Sequence, residues 1–405
     1  MTTAETILLE QQSVAQFFEK LSDTSKNVVV TLSNQSLSSM SANIGMDPTL
    51  LRQKLCGSLK SRGVRAVFDL SVASQIALLE NCHEFDRRLH ENSNLPMMTS
   101  SCPGWVCYVE KSQPHLLPYI SSIKSPQAIM GTLIKQFWHL KMSESQESIF
   151  HVTVMPCYDK KLESAREELM SGSIPDTDCV LTTAELERWI KESNIDLLQE
   201  SGSELDVLIS SLDEDMDTGG GECMTSGEFI EFGSSDSIES DGYMNYLVRR
   251  ICLQNSLDLP NNCIPFRHGK NSDIQESSLI LPDGRELHFA IINGFRNIQG
   301  LVRRTKSKRC TYHYVEVMAC PSGCINGGGQ IAVNLEYRED ANVKMKESLL
   351  FYTNNPTDLL NATIQRDLVY KEWIHGHPGS MNALHQFSTT YKERRFLSVV
   401  SNVDW

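Results

Sequence analysis

The sequence predicts an α/β protein built as two lobes of parallel sheet with flanking helices. Three observations carry this prediction. Short β-branched runs alternate with amphipathic stretches along a chain of 405 residues, the pattern of a sheet with helices on both faces. The alternation falls into two groups with an acidic segment between them. Three of the runs end in a loop that carries cysteine, and open α/β sheets build their sites at the carboxyl ends of strands.

In chain order, "NVVVTLS" (27–33) reads as a buried strand. The spacing in 47–63 predicts a helix opened by Asp47 and Pro48 and closed by Gly63. "VRAVFDL" (64–70) is a second strand and 72–89 a second helix. "LPMMTSS" (95–101) and "IFHVTVMP" (149–156) are strand-like. Between them, 125–140 has helical spacing, with Ser125 as cap and Pro126 at the first turn. Strand–helix pairs recur at 178–183 with 184–193 and at 287–293 with 295–307, and "YHYVEVMA" (312–319) follows as a strand. The expected division is a first lobe over 27–163, a second over 164–345 with an insertion at 200–241, and a C-terminal helical region and tail over 346–405.

Composition narrows the function. A hydrophobic fraction of 40% and a charged fraction of 22% fit a globular chain with a sizeable core. No apolar run reaches 18 residues, so no membrane span is expected, and the start lacks the basic and apolar regions of a signal peptide. A net charge of −14 argues against general nucleic-acid binding. Thirteen acids and no Lys or Arg lie between Glu200 and Asp241. This stretch reads as a solvated loop or disordered insertion, with a docking surface for a basic partner as the alternative.

Twelve cysteines without an export signal point to thiols or metal ligands. Most read as packed side chains. Cys107 falls in a helix, Cys179 in a strand and Cys223 in the acidic loop; Cys56, Cys82, Cys252, Cys263 and Cys310 have no partner at ligand spacing. Four differ. "MMTSSCPGW", "VTVMPCYDKK" and "VEVMACPSGC" place Cys102, Cys157 and Cys320 just past apolar strands, with Cys324 four residues beyond the last. Four thiolates suit a [4Fe–4S] cluster or a structural zinc. Two single ligands and one C-x3-C pair favour the cluster over a compact zinc knuckle. Pro103 and Pro156 stiffen two of the loops. Gly327, Gly328 and Gly329 can bring backbone N–H groups close to sulfide. Lys160, three residues past Cys157, can reach the same place, or it is a surface lysine opening a helix. A phosphate loop is excluded by Gln330, which stands where a Lys–Ser/Thr pair is needed.

"TSSCPGW", "MPCYDKKLE" and "EVMACPSGCINGGGQ" resemble, in order, three signature motifs of the [FeFe]-hydrogenase catalytic domain. "SPQAIMG" (125–131) and "DGYMNYLVRR" (241–250) resemble two further stretches, so the likeness runs from about residue 27 to 335. "CVLTT", "GFRNIQ" and "YHYVEVMACPSGCINGGGQ" narrow it to the eukaryotic cytosolic hydrogenase-like proteins, the component 3 or Nar family of the cytosolic iron–sulfur assembly machinery. The resemblance implies a cluster at the lobe interface, held by Cys102, Cys157, Cys320 and Cys324. Hydrogenases carry a proton-relaying cysteine where Ser101 stands here. A hydroxyl is a far weaker acid than a thiol, so no hydrogen turnover is expected.

The family also carries an N-terminal cluster site, and "TTAETILLEQQS" resembles the stretch that follows it. Residues 1–26 are therefore expected to be the remnant of a ferredoxin-like segment, leaving one [4Fe–4S] cluster on this sequence. The final Val403, Asp404 and Trp405 resemble the tail by which clients reach the cytosolic targeting complex, an aromatic anchor beside a free carboxylate. The expected function is a non-catalytic assembly protein linking an early scaffold to the targeting complex and its clients, cytoplasmic and also nuclear, with no nucleic acid or membrane partner. The alternatives are a binding protein like the nuclear prelamin A recognition factor, or a redox enzyme of hydrogenase type.

Overall fold

The structure is a computed structural model that describes residues 12–209, 242–259, 264–268, 271–333 and 338–394. The elements run α1 (Val14–Ser22), β1 (Asn27–Leu32), α2 (Asn34–Ile44), α3 (Pro48–Ser61), β2 (Ala66–Asp69), α4 (Ser71–Glu91), β3 (Met97–Thr99), α5 (Pro103–Ser112) and α6 (Pro126–Thr132). Then come β4 (Ile149–Met155), α7 (Asp159–Ser164), β5 (Met170–Ser171), β6 (Ile174–Pro175), β7 (Cys179–Thr182), α8 (Thr183–Glu192) and α9 (Tyr243–Gln254). The remainder is β8 (Arg267–His268), β9 (Ile274–Ile280), β10 (Glu286–Asn293), α10 (Phe295–Lys306), β11 (Tyr314–Met318), α11 (Arg338–Asn354), α12 (Pro356–Val369) and α13 (Met381–Phe387).

The helix starts follow from local chemistry. Asp47 accepts from the Leu50 N–H with Pro48 in the first turn. Ser125 does the same for Ala128, followed by Pro126. Thr182 and Glu185 form a reciprocal capping box on α8. Each such cap is worth about 1 kcal/mol.

Two sheets organise the chain. The first has the order β2-β1-β4-β7 and is parallel throughout. The second has the order β3-β11-β10-β9-β8. Period-2 burial divides the side chains between layers. Val28, Val30, Leu32 and Val152 face α2, α3 and α8, whereas Val29 and Ile149 face a central layer built from α4, α6 and α9. Phe289 and Tyr314 reach that central layer from the second sheet, whose other face packs Ala290, Val315 and Val317 on α5 and α10. Fully burying each such apolar side chain is worth about 1.5–3 kcal/mol.

The fold departs from the sequence expectation in four respects. The second is mixed, because the "LPDGRE" stretch turns β9 back beside β10 as an antiparallel hairpin. The sheets do not respect a boundary at residue 163: β3 pairs with β11, and β7 pairs with β4. Helix α11 spans the expected boundary at 345/346. Finally, residues 200–209 are not a solvated loop. Arg62 pairs with Glu200 and Lys60 with Asp206, while the Asp206 backbone and carboxylate bond both polar groups of Val67 on the edge strand β2. Leu208 and Ile209 are buried. Glu200 and Asp206, at the start of the acidic run, thus meet a basic face at the end of α3. Residues 210–241 lie outside the described residues. No helix among the described residues is long and apolar enough to cross a membrane.

Candidate metal centre

Three strand ends converge. Parallel pairing of Thr99 with Glu316 sets the loop after β3 beside the loop after β11. The loop after β4 comes from the other sheet. Together they form a small, largely apolar cavity lined by Cys102, Cys157, Cys320 and Cys324 with Met318, Ala319 and both prolines, Pro103 and Pro156. The structure thus brings to one wall the four cysteines singled out above.

Each thiol has its own environment. Cys102 is the N-cap residue of α5, is buried, and makes no side-chain capping bond. Its sulfur faces the backbone N–H groups of Ala319 and Trp105, yet burial dominates and pushes its pKa up. Burial, then the charge of Asp159, pushes the Cys157 thiol up to about 12, opposed by the Asp159 N–H at 3.4 Å. Cys320 is pushed up to about 11 by burial, then by Cys102 and Asp159, against a hydrogen bond from the Gly328 backbone. Cys324 opens a short helical turn, its sulfur 3.9 Å from the Met318 Sδ. Burial thus favours the protonated thiol at Cys102, Cys157 and Cys320, and a metal bound there would have to displace those protons.

The glycines close the wall. A Cβ on Gly327 would stand 2.3 Å from the Pro156 carbonyl oxygen, and one on Gly329 2.8 Å from Thr182 and 3.1 Å from the Cys157 nitrogen. Only glycine lets the 327–329 loop lie so close to the loop that carries Cys157. Gly328 meets nothing within 4 Å. Lys160 is buried, not a surface lysine: it pairs with Glu163 at 2.6 Å and reaches the Ser125 hydroxyl at 3.2 Å. Val403, Asp404 and Trp405 lie outside the described residues, as do Cys223 and Cys263.

The other described cysteines are elsewhere. Cys56, Cys82, Cys179 and Cys252 are buried, and Cys107 and Cys310 are half-buried. None of them lines the cavity. Sequence reasoning missed Asp159, whose charge bears on three of the four thiols. Its place two residues after Cys157 was the available signal. Also missed was a second cavity that shares Ser101, Cys102 and Pro103 with the first and is lined with charge, by Lys124, Glu163 and Arg166.

Known proteins share this arrangement of chain. Residues 26–328 match the family described as iron only hydrogenase large subunit, C-terminal domain. The fold matches [FeFe]-hydrogenase structures, among them an apo form from Chlamydomonas reinhardtii, with a TM-score of 0.74 at 24% identity over 95% of this chain and 99% of that one. Sequence relatives include cytosolic iron-sulfur assembly component 3 of Rattus norvegicus, 37% identical over 100% of this chain and 84% of its own. The Arabidopsis thaliana protein NAR1 is 36% identical over 96% and 83% of the two chains. The Mus musculus component 3 is 40% identical over 82% and 69%. With identity of that order along nearly its whole length, the chain belongs to the cytosolic iron–sulfur assembly component 3 and NAR1 family, on an iron-only hydrogenase fold.

Proposed function

We propose that this chain serves cytosolic iron–sulfur protein assembly as a non-catalytic iron–sulfur protein, holding one [4Fe–4S] cluster on Cys102, Cys157, Cys320 and Cys324. The observation that carries the reading is the gathering of four thiols from three separate loops around one cavity. The donor set is all sulfur, as such a cluster requires. Among the described residues no three His, Cys, Asp or Glu side chains are drawn together as ligands of a single metal ion. Backbone at Gly327 and Gly329, packed tightly against the loop that carries Cys157, holds the spacing of the thiols.

A cluster bound there would supply bridging sulfide, iron and one-electron chemistry. The protein's own part is to hold the ligands, exclude water with apolar walls and present the Gly328 N–H to sulfur. Ser101 lines the cavity where the hydrogenase motif has a second cysteine. Its hydroxyl is a far weaker acid than a thiol and a poorer proton relay, which supports assembly over hydrogen turnover. The names of the relatives support the cytosol as the place of action. The finer partners, an early scaffold on one side and the targeting complex with its clients on the other, would engage through surfaces that include the tail Val403–Trp405.

Anaerobic reconstitution with iron and sulfide, followed by metal analysis and electron paramagnetic resonance, tests the reading. The expected yield is about four irons per chain. Cys320→Ser or Cys324→Ser abolishes loading and Cys107→Ser does not. Zinc occupancy without sulfide would overturn the assignment.

A further inference from the structure

The second cavity is walled on one side by the end of the described chain. After α13, residues 388–394 run beside the loop that precedes α6 and on to Glu110 of α5 and to Arg166 and Glu168, just past the end of α7. Ser388 bridges Ile123, and the Thr389 N–H donates to the Ser122 carbonyl at 2.7 Å. Thr389 and Tyr391 line the cavity together with Ser101 and Cys102. The Arg166 guanidinium stands 5.7 Å from the centre of the Tyr391 ring.

Beyond Tyr391 the attachment is mainly ionic. Lys392 pairs with Glu168 at 2.9 Å, and Arg394 meets both oxygens of Glu168 at 3.0 and 2.9 Å. Arg394 also lies 3.2 Å from Glu110, a fully buried carboxylate that pairs with Arg166 at 2.5 Å and accepts from the Lys392 backbone N–H at 3.3 Å. The Arg394 N–H donates to the Glu110 carbonyl. The Lys392 side chain is 60% exposed and that of Arg394 37%. Exposed ion pairs are weak and salt-screened. Glu110 keeps Arg166 if Arg394 leaves, so detachment does not strand a buried charge.

We propose that residues 388–394 form a releasable strap whose detachment uncovers Cys102 through the second cavity. The proposal concerns the wall and the thiol, and stands whether or not the neighbouring cavity takes a cluster.

The test is pulse alkylation of the full-length chain, free of added iron and kept reduced, with N-ethylmaleimide and peptide mass spectrometry. Arg394→Ala should raise labelling of Cys102 about threefold and Tyr391→Ala about tenfold, the scale of losing exposed ion pairs and one partly buried anchor. Cys179, a core-strand residue, should stay unchanged. Equal Cys102 labelling in all three proteins overturns the proposal. Hydrogen exchange on the unaltered chain decides the matter should a variant fail to fold. Residues 388–394 must exchange well before β1, and protection equal to that of β1 sinks the idea.

Discussion

The two cavities share Ser101, Cys102 and Pro103, yet they are built on opposite principles. The cysteine cavity is closed by backbone contact, with loop pressed on loop at Gly327 and Gly329. Its neighbour is closed by compensated charge, through Arg166, Glu110, Glu168 and the strap. Backbone contact responds to neither salt nor moderate pH. Charge compensation responds to both. One loop therefore stands between a rigid wall and an adjustable one.

The largest expected effect comes from Glu110. Replacing it by Ala leaves Arg166, itself buried, without its closest carboxylate, and breaking a buried pair in this way costs about 3–5 kcal/mol. A urea midpoint that hardly moves would show that the charged wall is not a buried pair in energetic terms. Next is the rigid wall. Gly327→Ala forces a Cβ to within 2.3 Å of a backbone oxygen and should cost about 1–3 kcal/mol, with loss of iron loading. Gly328→Ala, with open space around it, should melt within about 0.5 kcal/mol of the parent. Equal melting of the two alanine variants would refute the close-packing account.

A smaller effect should appear with pH. Burial pushes the Glu168 carboxyl up, but the hydrogen bond from Lys392 and the charges of Arg394 and Arg166 outweigh it and hold the group below its ordinary value. A depressed carboxylate contributes stability above its unfolded pKa and loses it as pH falls through the folded one. Strap exchange, corrected for intrinsic rates, should therefore rise only below about pH 4. A rise near neutral pH would point to another group. Smallest of all, Arg394→Lys loses the two-oxygen grip on Glu168 but keeps the charge, and should shift stability by under about 1 kcal/mol. A double-mutant cycle with Glu168→Gln measures it.

Much of the fold was legible because strand and helix periods are local. The run 27–33 and the caps at Asp47 and Ser125 announce their elements from a few residues each. The cysteine cavity was legible for the same reason, since each thiol follows a readable strand. What was not legible depends on distant pairing. Nothing in "LPMMTSS" says that Met97–Thr99 will join a strand at 314–318 and not one at 149–155. The acidic run at 200–209 looked solvated because its basic partners, Lys60 and Arg62, sit some 140 residues earlier. Arg394 and Glu110 are farther apart still. Lys160 was expected to reach the cysteine site and does line its cavity, but "DKKLE" carries no hint that Glu163 and Ser125 will enclose its ammonium group.

The exchange of strands between the two sheets has a consequence for synthesis. Strand β3 leaves the ribosome early but cannot pair until β11 emerges about 215 residues later. At about 5–20 residues per second that is a wait of roughly 10–45 s. On the proposed assignment, Cys102 and Cys157 must stay reduced and uncommitted for that interval, since Cys320 and Cys324 do not yet exist. A nascent chain that has not reached residue 324 would then offer an iron donor no complete ligand set. Loading would await the second sheet, and a product truncated before Cys320 would hold two of the four thiols and none of the shape that joins them.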